Sequence, residues 1–274
     1  MRTLRLLSSA PPTALFGMTV IALYALVVIL APWIAPHGQT EIVGLEFEPW
    51  GGDYVLGTDN LGRDMLSRMI YGIRNSVTIA LLTTLLSFAL GSVLGLLAAT
   101  LGGWIDQVLS RLVDVLMAIP AILFALLLLT ITGTGIAQMI AIIAVLEATR
   151  VFRLTRATAM NVSVMDFVEA ARLRGEGTGW IIRREILPNI TSPLIAEFGL
   201  RFCFVFLAIS ALSFLGLGIQ PPTADLGAMV RDNAALITFG DMVPLLPAAA
   251  IALLTIAVNF VVDWMLHRAS GLKS

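Results

Sequence analysis

The stretch from Val113 to Arg153 reads "VDVLMAIPAILFALLLLTITGTGIAQMIAIIAVLEATRVFR". It contains no charged residue between Val115 and Leu146. A helix of about 20 apolar residues is enough to cross a hydrocarbon core of about 30 Å. Glycines in "TGTG", at positions 133 and 135, are turn signals inside this run. The stretch therefore predicts either one overlong helix or two membrane-spanning helices joined at these glycines.

The chain as a whole is also strongly apolar. Apolar residues make up 58% and charged residues 13% of the 274 residues, against roughly 45–50% and 25% in soluble domains. Such a composition indicates an integral membrane protein, and runs of this length predict helices rather than the short strands of a barrel. The first apolar run, which begins at Leu15, is longer than a signal-peptide core, so we interpret it as a retained membrane span. We expect an all-α protein with four further spans at Leu15–Ile34, Ser76–Leu101, Ser192–Ile219 and Met242–Leu266.

Charge asymmetry decides between five and six spans. Short cytoplasmic loops carry an excess of Lys and Arg. If the chain turns at Gly133–Gly135, one side of the membrane holds twelve of the 17 cations, namely Arg2, Arg5, Arg111, Arg150, Arg153, Arg156, Arg172, Arg174, Arg183, Arg184, Arg268 and Lys273. The sequence thus predicts six transmembrane helices with both termini cytoplasmic.

The longest cytoplasmic connection contains the polar segment "DFVEAARLRGEGTGWIIRREILPN", residues 166–189. Its first part predicts a short helix that ends at Gly175, and its second part a short amphipathic helix that stops at Pro188. Two short helices joined by a glycine-rich elbow are suited to docking another protein. A plain polar connection of the kind that any helical bundle needs would have a similar composition.

The specific string separates these two interpretations. "EAA", three residues, "G", ten residues and "ILP" resemble the EAA loop of permease subunits of binding-protein-dependent ABC importers. Glu185, Arg174, Glu176 and the glycines at 177 and 179 depart from the usual pattern of that loop. "LGTDNLGRDMLSRMIYGIRNSV", "FRLTR" and "ALSFLGLGIQPPTADLGAMVRDN" are similar to segments of the C-type subunit in the dipeptide, oligopeptide and nickel subfamily. The resemblance covers most of residues 8–266.

This resemblance implies the type I ABC importer permease fold in a prokaryotic cell membrane. It divides the chain into an N-terminal helix with an external loop (1–73), a transmembrane domain (74–266) whose coupling loop spans about 155–190, and a cytoplasmic tail (267–274). It also implies three kinds of protein partner: a homologous second permease subunit, two ATP-binding subunits and an extracytoplasmic substrate-binding protein. The expected coupling residues are Glu169, Ala170, Ala171 and Gly175, with Leu187 and Pro188 fixing the loop to the membrane helix. A bulky residue at Gly175 is expected to uncouple transport.

The sequence lacks several kinds of chemistry. Lys273 is the only lysine, so the chain has no phosphate-binding G-x-x-x-x-G-K-[ST] loop and needs another polypeptide for ATP hydrolysis. One cysteine and two distant histidines make a metal site improbable, and no clustered catalytic set indicates an enzyme. We expect the chain to contact membrane lipid. We expect no cofactor and no nucleic-acid partner. The competing function is an ion-coupled secondary transporter working alone, with breaks at Pro120, Pro244 or Pro247.

Charged residues within the predicted spans are further candidates. Arg201 lies about ten residues into the fifth span, and Glu197 is one helical turn away. This candidate ion pair could line the pathway or act at a gate, or it could orient helices near the interface. We also predict interfacial pairs of Glu147 with Arg150 or Arg153, and of Asp263 with His267 and Arg268. The outer loop, residues 35–74, could contact the substrate-binding protein or pack on the neighbouring subunit.

Overall fold

The computed structural model describes residues 10–269, except the side chains of Phe239 and Ala269. Arg2, Arg5 and Lys273, which entered the topology prediction, lie outside the described residues. The described chain is helical, and its α-helices are α1 (Pro12–Ile34), α2 (Met65–Leu101), α3 (Gly103–Met117), α4 (Ala121–Thr132), α5 (Ile136–Ser163), α6 (Asp166–Leu173), α7 (Thr178–Ile181), α8 (Leu187–Phe214), α9 (Leu226–Asn233) and α10 (Leu245–Ala269). A π-helical turn (Ile182–Ile186) precedes α8, and a 3₁₀ helix (Ala234–Phe239) follows α9.

Helices α2 and α5 form the most extensive contact in the bundle. Gly91 and Gly95, in a G-x-x-x-G pattern on α2, lie directly against the backbone of α5. A Cβ atom built on Gly91 would lie 2.5 Å from the carbonyl oxygen of Ala148, and one on Gly95 would lie 2.8 Å from that of Phe152. Small residues allow membrane helices to approach this closely, because lipid offers no hydrophobic driving force for their association.

The predicted break in the long apolar run is confirmed. Helix α4 ends at Thr132, Gly133 has a φ of 95°, and α5 begins at Ile136. The structure adds a second break, at Pro120. The sequence analysis considered a break there only for the competing function, a secondary transporter. At Pro120 the chain bends by 86° between α3 and α4, because proline cannot supply the backbone N–H that a continuous helix needs.

Four helical segments are long and apolar enough to cross a membrane by themselves in the part of the chain that the structure describes. They are Pro12–Ile34, Met65–Leu101, Thr178–Phe214 and Leu245–Arg268, and the bent pair α3 with α4 is a candidate fifth. Helix α2 begins eleven residues before the predicted Ser76, because Asp64 caps it by accepting a hydrogen bond from the Ser67 backbone N–H. The predicted span Ser192–Ile219 also differs, because its helix ends at Phe214, five residues before Ile219.

The predicted stop at Pro188 is wrong. Helix α7, the π-helical turn and α8 run on as one segment from Thr178 to Phe214. The π-helical turn, Ile182–Ile186, lies immediately before this proline. Its hydrogen bonds join residues five positions apart, and this wider turn accommodates the proline ring, so the helix continues. The second part of the polar segment is therefore an extension of a long apolar helix, not a separate short helix.

The connection from α1 to α2 folds back on its own chain. Asp59 lies at its centre, 2.7 Å from Arg63 Nη2 and 3.0 Å from Arg68 Nε, and all three residues are buried. Gln39 Oε1 accepts hydrogen bonds from Asn75 and from the Ala224 backbone N–H. These contacts attach the connection to α2 and to the segment before α9.

Candidate functional site

The candidate coupling segment, residues 166–189, is built around the short helix α6. Its first turn carries Asp166 and Glu169 and its last turn Arg172, the arrangement that the helix dipole favours. The helix ends in a Schellman motif: the Gly175 N–H donates to Arg172 O at 2.9 Å, and the Glu176 N–H donates to Ala171 O at 3.2 Å. Gly175 has a φ of +83°. The predicted end of this helix at Gly175 is confirmed.

The "EAA" residues do not share one environment. Glu169 and Ala170 are exposed, whereas Ala171 is fully buried with Val168 against the chain's own helices. The buried cluster beneath them also contains Leu96, Ala159 and Ile190. Ala171 therefore lets α6 lie close to its own bundle, and of the three residues only Glu169 and Ala170 face outward.

Large apolar side chains around α6 were not predicted as contacts. Val164 is 81% and Leu173 83% exposed, and Met165, Phe167 and Trp180 are also exposed. Exposed apolar groups of this size are typical of surfaces that bind another protein. The sequence signal was available, because each of these residues lies within or beside a polar segment.

The predicted anchor residues lie where the segment joins the membrane helix. Leu187 and Pro188 are on the exposed side of α8, and the neighbouring Ile186 is fully buried. Ile186 packs in the same cluster as Ile181 and Val168. The buried isoleucines, rather than Leu187 and Pro188, thus connect α6 to the long helix.

Four charged side chains form a network between the middle parts of α5 and α8. Arg201 Nε lies 2.7 Å from Glu197 Oε1, and Arg201 Nη1 lies 3.0 Å from Glu147 Oε2. Arg150 Nη1 donates to the other oxygen of Glu147 at 2.8 Å. Arg201 also lies over the Phe204 ring, 4.6 Å from its centroid. The sequence predicted the pairs within each helix, but only the fold joins them, because Glu147 and Arg201 are 54 positions apart.

The other predicted pairs involve Arg153, His267 and Arg268. Arg153 donates to the sulfur of Met117 at 3.7 Å. His267 Nδ1 lies 2.8 Å from the backbone oxygen of Asp263, and Arg268 lies over the Trp264 ring at 5.8 Å. An ion pair of Asp106 with Arg156, which the sequence analysis missed, joins α3 to α5.

Comparisons with known proteins agree with this architecture. Residues 91–269 match the family model described as "Binding-protein-dependent transport system inner membrane component", and residues 10–46 match "N-terminal TM domain of oligopeptide transport permease C". The dipeptide transport system permease protein DppC of Haemophilus influenzae is 37% identical over 91% of this chain and 87% of its own length. The di/tripeptide transport system permease protein DppC of Pseudomonas aeruginosa is 37% identical over 91% and 85%.

A relative named for another solute is also similar. The glutathione transport system permease protein GsiD of Escherichia coli is 34% identical over 89% of this chain and 81% of its own length. None of these relatives supports a secondary transporter, and the family is one of permease subunits rather than enzymes. The chain therefore belongs to the binding-protein-dependent transport system inner membrane components, as a multi-pass permease subunit of an ABC importer in a bacterial inner membrane.

Proposed function

We propose that this permease subunit forms half of a translocation pathway for peptides or a related small solute such as glutathione or a nickel complex. ATP hydrolysis on two separate subunits drives transport. The EAA segment, residues 166–189, couples that hydrolysis to the membrane helices. The observation that carries the proposal is the outward face of α6, where Glu169 and Ala170 lie beside the exposed apolar side chains of Val164 and Leu173. The names of the relatives support the solute class.

The coupling path follows the packing beneath α6. A force on α6 reaches Val168 and Ala171, which are fully buried with Ile186. Because Ile186 leads without interruption into α8, a displacement of α6 moves the inner end of a membrane helix. A rigid connection matters, since ATP binding biases the inward-open and outward-open states only through contacts that differ between them.

The proposed topology has six spans with both termini cytoplasmic. Helix α4 has 12 residues, about 18 Å at 1.5 Å per residue, so the third crossing needs part of α3 as well. Helix α5 is 28 residues long and provides the fourth crossing, although charged residues interrupt its apolar run. Cysteines introduced at Thr134 and Thr178 in a Cys203→Ser background test this topology: an impermeant thiol reagent should label the first from outside and the second only after permeabilisation. The reverse pattern would refute it.

The proposed partners are a homologous second permease subunit, giving a heterodimer, two ATP-binding subunits, and a substrate-binding protein outside. On the outer connection, Arg63 is buried in its ion pair, and the exposed side chains include Glu41, Glu46 and Asp53 with Leu45 and others. This acidic and apolar surface is available to either the binding protein or the neighbouring subunit.

The experiment that tests the proposal is purification of this chain from its native membrane. It should bring down ATP-binding chains, and peptide uptake by the reconstituted complex should require both ATP and the binding protein. A Leu173→Glu variant should weaken the co-purification, because a charge would replace an 83% exposed apolar side chain at the contact. Solute uptake by this chain alone would contradict the proposal.

A further inference from the structure

A cavity of about 630 Å³ lies between α4, α5 and α8. Its wall is largely apolar and includes Ala125, Ile143, Phe204 and Ala208, while Glu147 and Arg150 are the charged groups that line it. Sites for small molecules have this character: a volume of about 300–1,000 Å³, apolar walls and a few polar groups that fix orientation. Charged residues within a membrane span are costly and usually mark a functional site.

In the proposed six-span topology, position along the helices puts these charges within the bilayer. Arg150 is 14 residues after Ile136, the first residue of α5, which is about 21 Å at 1.5 Å per residue. Arg201 is 13 residues before Phe214, the last residue of α8, which is about 20 Å. Both distances are shorter than the roughly 30 Å thickness of a hydrocarbon core.

The bonding of the four charges is unequal. Glu147 is held by two arginines and Arg201 by two carboxylates. Among the residues that the structure describes, Arg150 has a single ion pair, to Glu147, and its side chain is 42% exposed, against 9% for Arg201. A guanidinium has five N–H donors, so Arg150 retains donors that can reach into the cavity.

This inequality allows an exchange of partners. If Arg150 leaves Glu147, the Glu147 carboxylate is still paired with Arg201 at 3.0 Å, so the buried carboxylate is not left unpaired. The freed guanidinium can then bind another carboxylate in bidentate geometry. The Phe204 ring lies 6.0 Å from Arg150 and keeps an apolar surface next to it.

We propose that Arg150 is a carboxylate-binding residue in this cavity. The carboxylate of a transported solute replaces Glu147 as its ion-pair partner. The inference rests on the proposed function. Dipeptides and glutathione, the solutes for which these relatives are named, all have a free carboxylate. An acidic side chain of the facing permease subunit has the same chemistry, so the test must distinguish the two sources.

The test compares Arg150→Gln, Arg150→Lys and Arg153→Gln in the reconstituted complex with saturating binding protein and a dipeptide. Arg150→Gln should lower maximal uptake by about tenfold, because a charge-assisted hydrogen bond is lost, while Arg150→Lys should retain part of the activity. Arg153→Gln is the matched control, since Arg153 lies on the same helix with its side chain exposed and outside this cavity. Its uptake should be unchanged.

A second arm identifies the carboxylate. Uptake of a dipeptide and of its C-terminal amide is compared in wild type and Arg150→Gln, so that any difference in capture by the binding protein cancels in the ratio. The preference for the free acid should fall about tenfold in the variant. Wild-type uptake by Arg150→Gln, equal losses for acid and amide, or loss of the second permease subunit from the purified variant would each overturn the inference. If wild type itself shows no ATP-dependent uptake, the proposed function has failed instead.

Discussion

Replacing Gly175 by alanine tests whether coupling depends on backbone handedness at the end of α6. Gly175 has a φ of +83°, and a Cβ atom built on it would meet no atom within 4 Å. Alanine therefore introduces no clash, only the cost of a left-handed conformation, about 1–2 kcal/mol for an L-residue. At about 1.4 kcal/mol per factor of ten, the population of the native elbow should fall by roughly 5–30-fold relative to alternative conformations.

The assay measures peptide uptake and binding-protein-stimulated ATP hydrolysis by the reconstituted complex. Gly177→Ala is a closely matched control: a Cβ there also meets nothing within 4 Å, but the φ is −73°, which any residue adopts. We expect Gly175→Ala to lose uptake per ATP hydrolysed, and Gly177→Ala to behave as wild type. Gly175→Asn should be intermediate, because asparagine tolerates the left-handed region better than alanine.

Equal uptake by the alanine variants at 175 and 177 would refute this reasoning. A graded loss that follows side-chain volume at both positions would also contradict it, since steric bulk would then matter more than handedness. The sequence-based expectation concerned bulk at Gly175, and the structure changes that expectation to one about φ.

Three further predictions follow from buried contacts, each checked by the aggregation temperature of the detergent-solubilised complex. Arg201→Met leaves Glu197 without its partner at 2.7 Å and should cost about 3–5 kcal/mol; adding Glu197→Gln should recover part of the loss, and no recovery would contradict the ion-pair account. Gly91→Ala places a Cβ 2.5 Å from a backbone oxygen and should cost about 1–3 kcal/mol by forcing α2 from α5; an unchanged temperature would mean that the helices separate freely. Asp225→Ala removes the cap of α9 and a 2.7 Å bond from Ser76, and should cost about 1–3 kcal/mol; Asp225→Asn should cost less, because burial raises the pKa of this carboxyl and asparagine keeps the capping oxygen.

The helical class and most helix positions could be predicted because they depend on local patterns. Apolar runs marked α1, α2, α8 and α10, and glycine at 133 marked the break before α5. The end of α6 at Gly175 was also predictable, since a residue with positive φ after a short helix is most often glycine. Helix continuity across Pro188 was not, because the π-helical turn before it depends on packing of Ile181 and Ile186 beneath the segment.

By itself, the sequence determined that this is a helical membrane protein, that it lacks the phosphate-binding loop, and where its EAA segment lies. Those properties belong to composition and to residues close together in the chain. Only the tertiary structure decided that Ala171 faces its own bundle while Glu169 faces outward. It also decided that Glu147 and Arg201 share one network beside a cavity. The physical reason is that burial and ion pairing between α5 and α8 depend on how two distant helices are rotated against each other, and a local pattern does not specify that rotation.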